Sequence, residues 1–121
     1  MQQSGTAGTY SHHAPEVLKG EYGLSADIFS FGIVITEALT AREAQDIIDE
    51  TRNAEFGINI DGLLTFLDRS RHHAACFDLV DLAAACCHLD PTERPSVTDC
   101  VSRLETIRAD FVAWELECLE A

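Results

Sequence analysis

The longest apolar stretch of the chain predicts a helix that is buried on every side. Ser25, a residue type that favours helix N-termini, precedes the segment 26–39. Apolar side chains in this segment cover the whole circumference of a helix: Ile28, Phe29, Phe31, Ile33, Val34, Ile35, Ala38 and Leu39. A buried strand is the alternative for an apolar run, but the length of this one favours a central core helix.

Shorter patterns on both sides predict further helices. Pro15 suits the first turn of a short helix, whereas residues 1–13 are predicted to be loop, and 40–60 mostly loop with one helical turn. Short helices are predicted over 61–67 and 77–89, and a turn at 90–93 precedes a last helix opened by Ser96. Apolar residues of that helix recur every three or four positions: Val97, Val101, Leu104, Ile107, Phe111 and Trp114. Trp114 continues this apolar face and is expected to lie in the core. The predicted fold class is all-α with irregular loops.

Composition narrows the function classes. A chain of 121 residues is long enough for one compact domain, and a hydrophobic content of 46% suits a packed core. Eight Lys and Arg stand against 21 Asp and Glu, and the formal net charge of −13 leaves no basic patch for nucleic acid. This balance favours solubility and basic partners, although an acidic surface without a specific partner is the simpler interpretation.

Cysteine and histidine positions predict neither a disulfide framework nor a metal site. The five cysteines, an odd number, show no Cys-x-x-Cys pair or Cys/His ligand spacing. Cys86 and Cys87 lie in an apolar helical run and are interpreted as buried free thiols, which suits a reducing compartment. The histidine pairs at 12–13 and 72–73 lack a third ligand and are interpreted as exposed loop residues. Without a signal-peptide pattern or a membrane-spanning run, a cytoplasmic location is expected.

Three separated motifs occur in an order that is typical of one family. The first, Gly8-Thr9-Tyr10-Ser11-His12-His13-Ala14-Pro15-Glu16, resembles the Ala-Pro-Glu end of the activation segment of eukaryotic protein kinases. The second, Ala26-Asp27-Ile28-Phe29-Ser30-Phe31-Gly32-Ile33-Val34, resembles the start of the central buried helix of that family. The third, Leu89-Asp90-Pro91-Thr92-Glu93-Arg94-Pro95-Ser96, is similar to the turn before its last helix. The resemblance extends from about residue 5 to about residue 110.

This resemblance implies an incomplete domain, the helical C-terminal lobe of a protein-kinase-like fold. Residues 1–13 would be the end of the activation segment, 14–110 the helical lobe, and 111–121 an acidic tail that either extends the last helix or frays. Segments 51–52, 56–63 and 86–91 look like the LIM-domain and testis-specific kinases of the tyrosine-kinase-like group. That similarity implies a protein substrate, with actin-regulatory proteins as the expected class. The Tyr-Ser-His-His at 10–13 departs from the Pro-Tyr-Trp-Met of that group, which bears on substrate preference.

Six residues take expected roles from the resemblance. Glu16 and Arg94 are expected to form a buried ion pair that ties the activation segment to the helical lobe, because a planar guanidinium can engage a carboxylate bidentately. Asp27 is expected to brace the catalytic loop, with a plain helix N-terminal acid as the alternative. The Thr9 hydroxyl favours serine or threonine as the phosphate acceptor. Three residues are expected to contact the protein substrate: Gly8, Thr9 and His12.

The chain contains none of the motifs that hold nucleotide and metal in this family. No Gly-x-Gly-x-x-Gly, Val-Ala-x-Lys, His-Arg-Asp or Asp-Phe-Gly occurs, and the only lysine, Lys19, follows Ala-Pro-Glu. The resemblance implies ATP and Mg²⁺ for a complete kinase, but no cofactor and no catalytic residue in this chain. We therefore expect part of a serine/threonine protein kinase domain, with dual specificity left open, that is inactive alone.

The alternative is a non-catalytic, pseudokinase-like interaction module. In either case, self-association or partner binding is expected through the central helix. The reasoning is that its large apolar side chains at 28–39 cannot all face the remaining helices.

Overall fold

The computed structural model describes residues 12–21, 23–53, 57–68 and 73–120. These ranges contain five α-helices: α1 (Leu24–Thr40), α2 (Ile48–Thr51), α3 (Ile60–Leu64), α4 (Ala74–Cys86) and α5 (Val97–Glu120). Three 3-10 helices lie between or before them: Pro15–Lys19, Ala44–Ile47 and Pro91–Glu93. No strand occurs in the described ranges, where Arg52 and Ile58 form an isolated antiparallel bridge. The prediction of an all-α fold is confirmed.

Helix α1 lies at the centre of the fold and packs chiefly against α4. Two buried clusters meet on it. The first contains Ala14, Ala26, Phe29, Ile33, Ala44 and Cys87. The second contains Ile28, Ile35, Leu82, Ala83, Cys86 and Cys100, and so joins α1 to both α4 and α5. Burial on opposite sides explains why the apolar residues of this helix show no single stripe.

A glycine makes the close approach of α1 and α4 possible. A Cβ built at Gly32 would lie 2.6 Å from Cys87 Sγ, 2.9 Å from Cys86 Cβ and 3.2 Å from the carbonyl oxygen of Ala83. Two of these distances are shorter than contacts that real Cβ atoms make. The packing of the two helices therefore depends on the absence of a side chain at position 32.

The predicted exposed apolar face of α1 is not present, and this expectation was wrong. Of the seven large apolar side chains at 28–39 only Val34 is exposed, at 49%, and outside that stretch Leu24, the first residue of the helix, is 67% exposed. Phe31 and Leu39 are partly buried against the second cluster. Residues outside the long helices, among them Val17 and Ile58, cover α1 as well. The last three helices are therefore not the only cover of α1.

Helix α5 continues to Glu120. Of the two alternatives for the acidic tail, extension of the last helix is therefore confirmed. The N–H of Asp99 donates to the Ser96 hydroxyl over 3.1 Å, so the predicted N-cap is confirmed. Trp114, however, is 41% exposed rather than in the core. Helix α4 begins at Ala74, and Trp114 contacts His73, the residue before it. The second half of α5 therefore extends past the N-terminal end of α4.

Local hydrogen bonds displace several helix boundaries from the predicted positions. Helix α4 begins three residues earlier than predicted, because the N–H of Ala75 donates to Nδ1 of His73 over 2.9 Å. His73 is therefore a half-buried capping residue and not an exposed loop residue. Residues 40–60 hold more helix than predicted, since the Glu37 carboxylate accepts the N–H of Ala44 at 2.8 Å where a 3-10 helix starts.

The cysteines are free thiols, and the interpretation of Cys86 and Cys87 as buried thiols is confirmed. Burial raises the pKa of both to about 12. In the described part of the chain no group of three or more metal-ligating side chains could hold a metal ion. No single described helix is long and apolar enough to cross a membrane. The segments Leu24–Thr40 and Ala44–Thr51 reach that length and apolarity only when they are taken together, and the chain bends by 81° between them.

Candidate functional site around Glu16 and Arg94

Two short turns position the candidate site. Glu16 is the second residue of the 3-10 helix Pro15–Lys19, whose start suits proline because the first N–H of a helix has no internal partner. Arg94 follows the 3-10 helix Pro91–Glu93, in which the Asp90 carboxylate accepts the N–H of Thr92 at 3.0 Å. Both turns are short and closed by local hydrogen bonds, from the Gly20 N–H to the carbonyl oxygen of Glu16 in the first and to the Asp90 carboxylate in the second, so they present both side chains in fixed directions.

Arg94 binds Glu16 through both ends of its guanidinium. Its Nη1 donates to Oε2 of Glu16 over 2.6 Å, and its Nη2 donates to Oε1 over 3.0 Å. The Arg94 side chain has no solvent exposure and that of Glu16 only 11%. The predicted pairing of Glu16 with Arg94 is therefore confirmed as a buried, bidentate ion pair.

Two backbone carbonyls accept further hydrogen bonds from Arg94. Its Nε donates to the carbonyl oxygen of His88 over 2.7 Å, and Nη1 donates also to that of Ser25 over 3.0 Å. Its Cζ lies 4.9 Å from the ring centroid of Phe29. One side chain thus joins the end of α4, the start of α1 and the Ala-Pro-Glu motif, and its charge stays compensated although it is buried.

The electrostatics of Glu16 follow from this contact. The side-chain hydrogen bond from Arg94 lowers the pKa of Glu16 below its usual value of 4.5, although burial acts in the opposite direction. The carboxylate is therefore charged at neutral pH. Arg94 compensates the charge of this carboxylate, so the pair can hold the backbone at residue 16 without solvation by water.

A second arginine, Arg52, lies on the same aromatic ring and was not singled out as a site residue from the sequence. Its Cζ is 5.0 Å from the Phe29 centroid, and its Nη2 donates to the carbonyl oxygen of His13 over 3.4 Å. Burial lowers the pKa of Arg52 to about 10. The only sequence feature that pointed to Arg52 is its place in the Thr51-Arg52 pair, which resembles the LIM-domain and testis-specific kinases. Arg52 and Arg94 thus hold residues on both sides of Ala14.

His12 contacts α1. Its Nε2 lies 2.8 Å from Oε1 of Glu37, and its carbonyl oxygen accepts the hydroxyl of Ser30 at 2.7 Å. Burial acts to raise the pKa of Glu37, but the hydrogen bonds from His12 and from the N–H of Ala44 outweigh it, so the pKa is lowered. The contact with Glu37 fixes the His12 ring against α1, and its role toward substrate stays a prediction.

The remaining predicted site residues are Asp27, Gly8 and Thr9. Asp27 lies exposed in the first turn of α1, where an acid suits the helix dipole, and its role as a brace of the catalytic loop stays a prediction. Gly8 and Thr9 lie outside the described residues.

Comparison with known proteins now adds the family. A model described as the protein kinase domain matches residues 2–104, which include every motif discussed above. This chain belongs to the protein kinase family. The kinase lobe identified from three short motifs therefore agrees with a comparison that uses most of the chain.

Individual kinases give the same result. A probable serine/threonine-protein kinase of Dictyostelium discoideum is 32% identical over 107 residues, which are 87% of this chain and 24% of that protein. Dual specificity testis-specific protein kinase 2 of Rattus norvegicus is 34% identical over 106 residues, 86% of this chain and 17% of the relative. Dual specificity testis-specific protein kinase 1 of Homo sapiens is 37% identical over 95 residues, which are 78% of this chain and 14% of that protein. The predicted similarity to the testis-specific kinases is confirmed, and the chain spans a quarter or less of these relatives.

Proposed function

We propose that this chain is the substrate-side part of a serine/threonine protein kinase, and that the Glu16–Arg94 pair anchors the end of its activation segment. The observation that carries the proposal is the bidentate ion pair between residues 78 positions apart. An activation segment must hold one geometry for its outer part to receive a protein substrate. A buried ion pair at its end serves that purpose, because moving it would leave an uncompensated charge.

The chain's own share of the reaction is positioning. Gly8, Thr9 and His12 contact the segment of the substrate that carries the acceptor hydroxyl, and Thr9 favours serine or threonine. The resemblance to the LIM-domain and testis-specific kinases is our ground for proposing an actin-regulatory protein as the substrate class. Asp27 braces the catalytic loop of the complete kinase.

The described residues do not fit ATP or Mg²⁺. Phosphate groups need cations or clustered backbone N–H groups. The cavity between α4 and α5 that contains Arg103 is instead lined by the carboxylates of Asp78 and Asp81. No described cluster of acidic and histidine side chains could hold a metal ion. In the complete kinase, nucleotide and metal would bind to residues other than these.

A chimeric kinase tests the proposal. Residues 2–104 of this chain would replace the matching segment of human testis-specific kinase 1, which keeps the relative's own nucleotide site. We expect the chimera to transfer phosphate to serine and threonine peptides, and to an actin-regulatory protein in preference to a casein control. Arg94→Ala should lower the rate roughly tenfold or more, since it releases a buried charge, whereas Arg42→Ala changes an exposed arginine after α1 and should leave it unchanged.

The same chimera discriminates the second candidate, a non-catalytic interaction module. The observation that favours a module is the exposed aromatic surface on the second half of α5. A chimera that is stabilised by nucleotide, and therefore folded, but transfers no phosphate would support the module and contradict the kinase proposal.

A further inference from the structure

Helix α5 continues well beyond the part of the chain that matches the kinase family. The match ends at residue 104, whereas the helix runs to Glu120. Apolar or aromatic residues nevertheless recur at alternating steps of three and four through the whole helix: Val97, Cys100, Leu104, Ile107, Phe111, Trp114 and Cys118. This spacing is typical of a helix that packs along another helix, and these seven residues are called the seam of α5. The first half of the seam packs against α4, and the second half has no described helix beside it.

The exposed half of the seam continues directly from an apolar groove between α4 and α5. This α4–α5 groove has a volume of about 370 Å³ and is lined by Arg108 and by six apolar residues: Ala75, Cys76, Leu79, Leu104, Ile107 and Phe111. Next to the groove, the rings of His73, Phe111 and Trp114 contact one another and form an aromatic cluster, which fixes their positions. The centroid distances are 4.7 Å between His73 and Trp114 and 5.5 Å between Phe111 and Trp114. Phe111 is 38% exposed and Trp114 41%.

Charge selects the occupant of this surface. Residues 105–120 carry one cation, Arg108, against five carboxylates: Glu105, Asp110, Glu115, Glu117 and Glu120. Asp110, Glu115 and Glu117 stand directly beside seam residues in the sequence, at the flanking positions where coiled-coil partners exchange charges. A second copy of the chain would bring a further formal charge of −13. Like charges across an interface oppose association, so a basic partner is favoured over a second copy.

We propose that the α4–α5 groove and the aromatic cluster bind a basic amphipathic helix of another protein. Its apolar side chains, spaced three and four residues apart, would enter the groove and contact Phe111 and Trp114. Its lysine or arginine side chains would face Glu115 and Glu117. This is the helix-in-groove mode of recognition, with apolar anchors for affinity and charges for selection. It does not depend on the kinase proposal, because none of these residues belongs to the Glu16–Arg94 cluster.

Trp114 reports on this binding directly, because it is the only tryptophan of the chain. The probe is a synthetic helix with leucine at alternating steps of three and four and lysine elsewhere, titrated into the full 121-residue chain. We expect saturable binding with Trp114 emission moving to shorter wavelength, and weaker binding at high salt. One control peptide replaces every lysine with glutamate, and a second keeps the composition but scatters the leucines around the helix. Neither should bind measurably.

Variants locate the interface. Phe111→Ala should weaken binding of the lysine peptide roughly tenfold or more, as expected for a central aromatic anchor. Its neighbour Val112 is exposed to a similar degree but lies off the seam, so Val112→Ala should change the affinity less than about twofold. If Phe111→Ala perturbs the helix by circular dichroism, the double variant Glu115→Lys with Glu117→Lys replaces it. Both side chains are exposed, and the reversal should also abolish the salt dependence.

Each remaining outcome contradicts the proposal. Absence of binding by the lysine peptide would do so, as would equal binding of the glutamate or the scattered peptide, which would show non-selective contact. A shift of Trp114 emission on concentrating the chain alone, together with a dimer in sedimentation velocity, would show that a second copy occupies the surface instead.

Discussion

Arg94 shows at the scale of one residue why an arginine occupies this position. Its planar fork donates to both oxygens of Glu16 and to the carbonyls of Ser25 and His88, and it lies over the ring of Phe29. A lysine has one nitrogen and could not reach these four acceptors at once. Charge compensation of this kind is what allows a fully buried cation in a small lobe.

The lowered pKa of Glu16 gives a pH signature. Because the folded pKa lies below the unfolded value of about 4.5, the stabilisation is complete above pH 4.5 and is lost as the pH falls through the folded pKa. Glu16→Gln should therefore lower the free energy of unfolding by about 1–3 kcal/mol at pH 7, and by progressively less below about pH 4.5. Urea unfolding at a series of pH values measures this. Glu105→Gln, an exposed change on α5, is the control; the idea fails if both variants show the same pH dependence.

At the scale of elements, the sequence predicts what local patterns determine. The core position of α1 follows from its all-round apolar pattern, and the start of α5 follows from the Ser96 cap. The 3-10 helix at Ala44 could not be predicted, because it begins where a carboxylate from α1 accepts its first N–H. Arg52 was missed as a site residue for a similar reason: its importance comes from Phe29 and His13, which are distant in sequence.

The α1–α4 contact predicts the outcome of a substitution with two opposing effects. Gly32→Ala gains about 1 kcal/mol of helix propensity, but the added Cβ meets Cys87 and Cys86 at distances that force a shift and cost about 1–3 kcal/mol. Since both neighbours are buried, the steric cost should exceed the gain in helix propensity, and the free energy of unfolding in urea should fall by up to about 2 kcal/mol.

A double variant separates the two effects. Adding Cys87→Ala to Gly32→Ala removes the sulfur at 2.6 Å, so part of the loss should be recovered relative to Cys87→Ala alone. If Gly32→Ala instead stabilises the chain, the helices do not approach as closely as the structure shows.

At the scale of the whole molecule, this is a helical kinase lobe organised around one helix. Two buried clusters meet on α1, and α5 extends from the lobe with an aromatic cluster on its side. The Glu16–Arg94 pair, the proposed anchor of the activation segment, and the exposed seam of α5 are formed by separate sets of residues. We therefore expect substitutions in one to leave the function of the other unchanged.

We expect nucleotide binding only in a complete kinase and not in this chain. A nucleotide site that is saturated a hundredfold above its Kd adds about 2.7 kcal/mol of stability. In a domain of this size that would raise Tm by roughly 10 °C or more. We expect no shift of Tm with millimolar ATP and Mg²⁺, in differential scanning fluorimetry with an EDTA control. A reproducible, magnesium-dependent rise would show a nucleotide site in these residues.

The measurement that tests the account most directly is a double-mutant cycle between Glu16 and Arg94. The free energy of unfolding is measured for the unchanged chain, Glu16→Ala, Arg94→Ala and the double variant, with Arg42→Ala as an exposed arginine control. A buried bidentate pair predicts that Arg94→Ala alone costs about 3–5 kcal/mol and that the coupling energy is about 2–3 kcal/mol. A coupling energy below about 0.5 kcal/mol, typical of exposed pairs, would show that Glu16 is not anchored by Arg94 and would contradict the account.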